Sequence, residues 1–138
     1  MKKILSSLFF ISTTVAAFGQ AVTSVPAEYN DPTSEVKILI NLDQLDQSKD
    51  YVLNLIADAD AGLDLYMWTW KPFEFPIGSP KANGEGGAPW KNSNELLKLT
   101  KEANHLYSYT MIPTQFYEVD AATVFKEDIQ FLVKPKDG

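Results

Sequence analysis

The sequence predicts an all-β fold, an immunoglobulin-like antiparallel β-sandwich, and three observations carry that expectation. Apolar residues alternate with period two in several short segments, Gly, Pro, Asn and Asp cluster between those segments, and no regular succession of helices intervenes. A βαβ architecture would require such helices. Hydrophobic residues make up 45% of the 138-residue chain and charged residues 22%, which suffices for a packed core in a single domain.

The first 19 residues are expected to stand outside that core. Lys2 and Lys3 precede an apolar stretch, Ile4 to Phe18, that closes on the small residues Ala16, Ala17 and Gly19. This is the pattern of a secretory signal peptide, with cleavage expected after Gly19 and cleavage after Ala17 fitting almost as well. The stretch is too short, and too rich in Ser and Thr, for a spanning helix. The expected mature domain is therefore 20–138, exported to the periplasm, the outer-membrane surface or the medium, with no membrane insertion after cleavage.

Loss of the two leader lysines changes the formal charge from −6 to −8. An acidic chain of this kind lacks the basic footprint that nucleic-acid binding needs, and anionic lipid is disfavoured by the same sign. The chain has no cysteine, which rules out disulfides, thiolate metal sites, cysteine nucleophiles and a lipidated amino-terminal cysteine.

Strands are expected over Ala21 to Tyr29 and over Glu35 to Leu45, the second with Val36, Ile38, Ile40 and Leu42 on one face. Asn30-Asp31-Pro32-Thr33-Ser34 between them is turn chemistry. Gln44 to Ala59 fits both a short amphipathic helix capped near Ser48 and an alternating strand. Leu63 to Trp70 reads as a strand with Leu63, Leu65, Met67 and Thr69 on one face and Tyr66, Trp68 and Trp70 on the other. Four prolines and four glycines between Lys71 and Trp90 make a long loop, a length that usually marks a working surface or disorder. Glu95 to Thr100 and His105 to Ile112 are expected strands joined by a turn at Lys101 to Asn104. Ala121 to Lys126 suits one helical turn, and Ile129, Phe131 and Val133 alternate in a last strand. Six strands result. A seventh, needed to close an immunoglobulin-like sandwich, has no sequence left after Pro135-Lys136-Asp137-Gly138, so either a partner protein completes an open sheet edge or the chain is a fragment.

Four segments carry a resemblance: Tyr66-Met67-Trp68-Thr69-Trp70-Lys71-Pro72; Trp90 with Asn92-Ser93-Asn94-Glu95 and Leu97-Lys98-Leu99-Thr100; Met111 to Tyr117; and Phe131 to Gly138. Together they resemble the immunoglobulin-like (E-set) modules of secreted and cell-surface Bacteroidota proteins, related to carbohydrate-binding domains of starch-binding outer-membrane proteins. The resemblance implies an exported β-sandwich of the kind found in glycan-capture systems. In such modules the chain usually continues beyond the Lys-Asp-Gly segment into a closing strand.

Sugar recognition in water uses flat aromatic faces, onto which the weakly positive C–H bonds of a pyranose can stack. If Leu63, Leu65 and Met67 face the core, Tyr66, Trp68 and Trp70 stand together on the outer surface as a stacking platform. Against this, Trp is highly buried on average, so Trp68 is expected in the core, and Trp70 and Trp90, which bracket the long loop, are the expected stacking residues. Lys71, Asn83, Glu85, Asn92 and Asn94 offer hydrogen bonds to sugar hydroxyls, although each also suits an ordinary solvated loop. Tyr117 is taken as the exposed member of the Tyr107, Tyr109, Phe116 and Tyr117 group. The expected carbohydrate contacts are thus Trp70, Trp90, Lys71, Asn92 and Tyr117, in a non-catalytic module with no cofactor. The alternative is an assembly module with no small ligand. Asp58, Asp60 and Asp64 resemble a calcium loop, but Gly62, Leu63 and Thr69 fail the EF-hand positions and a solvated acidic turn is the simpler reading. His105, the single histidine, has no neighbouring serine or cysteine motif and reads as a surface residue. Paired carboxylates for glycoside hydrolysis need a deep cleft, which a sandwich of this size rarely provides.

Overall fold

The computed structural model describes residues 20–138 and, ahead of them, the backbone of a two-residue strand, β1 (Ser7–Leu8). The signal-peptide expectation otherwise falls outside the described residues. Six strands follow in 20–138: β2 (Val22–Val25), β3 (Val36–Asn41), β4 (Leu65–Lys71), β5 (Thr100–Ala103), β6 (Leu106–Met111) and β7 (Gln130–Pro135). Helix α1 (Asp50–Asp60) separates β3 from β4, and two short helices, α2 (Pro113–Tyr117) and α3 (Ala121–Glu127), separate β6 from β7.

The strands form two sheets. One has the order β2-β3-β6-β5 and is antiparallel throughout; the other has the order β1-β7-β4, antiparallel between β4 and β7 and parallel between β1 and β7. The sheets share one core, to which β3 gives Val36, Ile38 and Ile40, β6 gives Tyr107 and Met111, β4 gives Leu65 and Met67, and β7 gives Phe131 and Val133. An all-β sandwich is therefore the fold, as the period-two pattern predicts.

Several elements differ locally from expectation. Gln44 to Ala59 resolves into helix because Val52, Leu55 and Ala59 recur at helical spacing and bury one face against the core, while Tyr51 and Leu53 stay exposed. Its expected cap near Ser48 is absent: Asp46 Oδ1 instead accepts hydrogen bonds from the backbone N–H and hydroxyl of Ser48, and the helix begins after Lys49. Glu95 to Leu97 is a 3-10 turn instead of a strand, because the Asn94 side chain accepts from Leu96 N–H and starts a turn there. The strand begins at Thr100, although Leu97 and Leu99 are buried as anticipated. Leu63, assigned to the inner face of β4, precedes the strand and is 46% exposed.

The long loop is pinned to β4 by one amide. Asn83 Nδ2 donates to the Thr69 carbonyl at 2.7 Å and Oδ1 accepts from the Thr69 N–H at 2.8 Å, so a side chain substitutes for a neighbouring strand. Leaving both buried backbone groups unpaired would cost roughly 2–6 kcal/mol. Asn94 does similar work, donating to the carbonyls of Pro80 and Ala82.

His105 occupies the β5–β6 turn with φ of 57°. Its Nδ1 lies 2.7 Å from Asp43 Oδ1 and its Nε2 lies 2.7 Å from Asp60 Oδ1, so the ring joins the turn, the segment after β3 and the end of α1. The residue is half-buried at a surface turn, with 13% of its side chain exposed. A neutral imidazole could donate to only one of the two carboxylates, and the hydrogen bonds to Asp60 and Asp43 hold its pKa above the ordinary value. The resulting stabilisation is complete below the unfolded-state pKa of about 6.5 and is lost as pH rises through the higher folded value. Urea midpoints measured from pH 5.5 to 9 are expected to fall across that window, and His105→Ala should remove the fall. A slope unchanged by the substitution would show that the imidazolium does not clip these elements together.

Candidate functional site

Strand β4 places Leu65, Met67 and Thr69 toward the second sheet, so Tyr66, Trp68 and Trp70 stand on the outer face beside Lys134, Leu132 and Gln130 of β7. Trp68 is half-buried on this face and lies outside the core cluster of the described residues, with a loop reaching over it. That loop is residues 84–93. Gly84 bridges Ser93, Glu85 N–H donates to the Asn92 carbonyl, and a 3-10 turn, Pro89–Lys91, forms the tip. Gly84 permits the closure, since a Cβ there would lie 2.0 Å from the Pro89 carbonyl oxygen.

The tip sets Trp90 on Trp68 with ring centroids 4.8 Å apart and planes tilted by 57°. Trp90 remains 45% exposed. The Lys134 ammonium lies 4.8 Å from the centre of the Trp90 ring and 5.8 Å from that of Trp68. Its hydrogens go to Ser93 Oγ and the Pro135 and Lys136 carbonyls. Lys134 is only 4% exposed, and burial pulls its pKa down to about 8, with Asp137 acting in the opposite direction. A fixed cation thus sits behind two indole faces, an arrangement worth about 2 kcal/mol or more when desolvated.

Tyr66, at the same end, is buried, donates its hydroxyl to Glu95 and lies under Lys136, which also bonds Glu95. Trp70 stays half-exposed, and its indole N–H donates to Gln130 Oε1 at 3.1 Å.

Beside Trp90 runs a groove of about 270 Å³ between α1 and β7. Trp90, Tyr51, Leu55, Leu132 and Lys134 line it, together with Asn54 and Asp58 from successive turns of α1. A larger depression of about 410 Å³ lies near Leu63 and Thr100, but there Asp64 and Lys98 are bonded to each other at 2.6 Å.

The five expected contacts separate in space. Trp90 and Trp70 share the outer face. Lys71 forms an ion pair with Glu127 at 2.6 Å, and Asn92 is half-buried in closing the 84–93 loop. Tyr117 is fully buried, correcting the expectation of an exposed ring: Pro113 starts a helix that turns it inward, its hydroxyl lies 2.7 Å from Thr69 Oγ1, and burial raises its pKa. Asn83 and Asn94 are structural. Of the three calcium-like acids, Asp60 goes to His105, Asp64 to Lys98 and Asp58 to the groove; no cluster of three or more potential metal ligands occurs among the described residues. Asn54 was missed by sequence reasoning and Asp58 was read only as part of an acidic turn, because their place in one groove with Trp90 depends on α1 docking beside β7. Their i, i+4 spacing was the available signal.

Trp90 both excludes water from Lys134 and attracts its charge; if exclusion is the larger effect, Trp90→Ala should raise the lysine pKa from about 8 toward its ordinary value near 10.4. Titration of the Lys134 side-chain NMR signals reads this directly, and an unchanged or lowered value would mean that exclusion is not the larger effect. Comparison with protein-family models and with curated proteins returns no match for this chain.

Proposed function

We propose that the chain is an exported, non-catalytic module that binds glycan through the outer face of the β4–β7 sheet. The observation that carries this reading is the pair of tilted indoles, Trp68 and Trp90, held partly open to solvent over a fixed ammonium. Ring faces fixed in advance spare a ligand the entropy of ordering them. Trp70 extends the aromatic surface two residues along β4, and an acidic chain is no handicap for an uncharged polymer. His105 has both ring nitrogens engaged by structural carboxylates, which supports a binding role over catalysis. Among the described residues no helix is long and apolar enough to cross a membrane. The resemblance to modules of Bacteroidota glycan-capture systems points the same way.

A second reading, assembly by strand addition, is favoured by one observation: the outer edge of β7 takes a parallel strand, with Ser7 opposite Gln130 and Leu8 opposite Phe131.

Intrinsic Trp fluorescence and affinity electrophoresis against soluble starch and xylan test the first reading. Aromatic stacking contributes about 0.5–1.5 kcal/mol per ring, so Trp90→Ala should weaken binding by up to about tenfold. No response from the wild-type protein to any glycan would reject the reading. For the second, size-exclusion chromatography of the chain freed of its first 19 residues should show self-association; a strict monomer counts against it.

A further inference from the structure

We propose that the groove between α1 and β7 is the subsite that orients the sugar, accepting one pyranose ring of a neutral glycan and refusing acidic ones. This rests on the glycan-binding reading and adds to it the polar half of the site and the class of ligand.

The argument begins with a carboxylate in an unfavourable place. Asp58 and Asp60 both lie in the last turn of α1, where the partial negative charge of the helix end disfavours acids. His105 offsets Asp60. Asp58 has no cation or hydrogen-bond donor on its side chain among the described residues, and its half-buried carboxylate lines the same groove as Trp90. Water can solvate it there, but the helix end still disfavours an acid, whereas a ligand that supplies donors would favour one. Asn54, one turn earlier on the same face, adds both a donor and an acceptor. Two adjacent pyranose hydroxyls can donate to Asp58 while a third exchanges hydrogen bonds with Asn54, and the C–H face of the ring stacks on Trp90.

The same groups set the ligand class. A uronate would bring a second carboxylate toward Asp58, and the Lys134 ammonium that also lines the groove has its hydrogens committed to Ser93 and the carbonyls of Pro135 and Lys136, so it offers the newcomer no hydrogen bond. Like charges in the groove repel. The volume, about 270 Å³, falls below the usual range of about 300–1,000 Å³ for small-molecule pockets and suits a single ring.

The test is affinity electrophoresis of the protein in native gels cast with soluble starch, neutral β-glucan or alginate, using wild type, Asp58→Asn, Asn54→Ala and Trp90→Ala. Wild type is expected to be retarded by at least one neutral polymer and not by alginate. Asp58→Asn should lose at least about fivefold in affinity while its thermal midpoint stays the same or rises, because the change removes an acid from a helix end. A structural role for Asp58 would lower that midpoint instead. Binding that survives both Asp58→Asn and Asn54→Ala but is lost in Trp90→Ala would overturn the subsite and leave the glycan reading standing. Equal retardation by alginate would overturn the ligand class. No retardation of wild type by any polymer would reject subsite and glycan reading together.

Discussion

Strand β4 is apolar on both faces, and a second sheet covers only one of them. That imbalance governs the rest of the molecule's outer surface. Leu65 and Met67 are satisfied by the sandwich core, so Tyr66, Trp68 and Trp70 must be covered by loops or left partly wet. Tyr66 is covered, by Glu95 and Lys136. Trp68 is half-covered by Trp90, and Trp70 is edge-bonded to Gln130. Aromatic area that remains open on a rigid sheet is costly unless something binds it.

The loop after β4 converts this cost into a defined geometry. Its length would ordinarily make it mobile, yet Asn83 pairs with Thr69 and Asn94 with Pro80 and Ala82, so its returning limb is held along the sheet. Gly84 then lets residues 84–93 close tightly enough to lay Trp90 over Lys134. A buried lysine without a carboxylate partner is unusual, and its desolvation is tolerated because two indole faces and three oxygen acceptors surround it. The loop asparagines read from sequence as sugar contacts, Asn83 and Asn94, instead hold the loop that carries the indole.

Helix α1 supplies the complementary half. Its buried face, Val52, Leu55 and Ala59, fixes its rotation about its own axis, and that rotation brings Asn54 and Asp58 to the groove while Asp60 reaches His105. Two acids two residues apart on one helix turn thus have different fates. One is paired with His105 to clip the fold; the other lines the groove beside Trp90.

The alternation of Val36, Ile38 and Ile40, of Leu65 and Met67, and of Phe131 and Val133 determined by itself which strand faces would be buried, because a period of two is imposed by strand geometry. Trp90 at the end of the Pro/Gly-rich loop was legible for the same local reason, since no strand or helix could accommodate that composition. Tyr117 and Trp68 were not: whether an aromatic ring is covered depends on which distant segment packs over it, and Pro113 turned one inward while the other lies outside the core cluster with a loop reaching over it. Asn54 and Asp58 became neighbours of Trp90, 32 residues beyond Asp58, only when α1 docked beside β7. Sequence settles what each segment can bury. Only the packing of segments far apart in the chain decides which polar groups are left to meet a ligand.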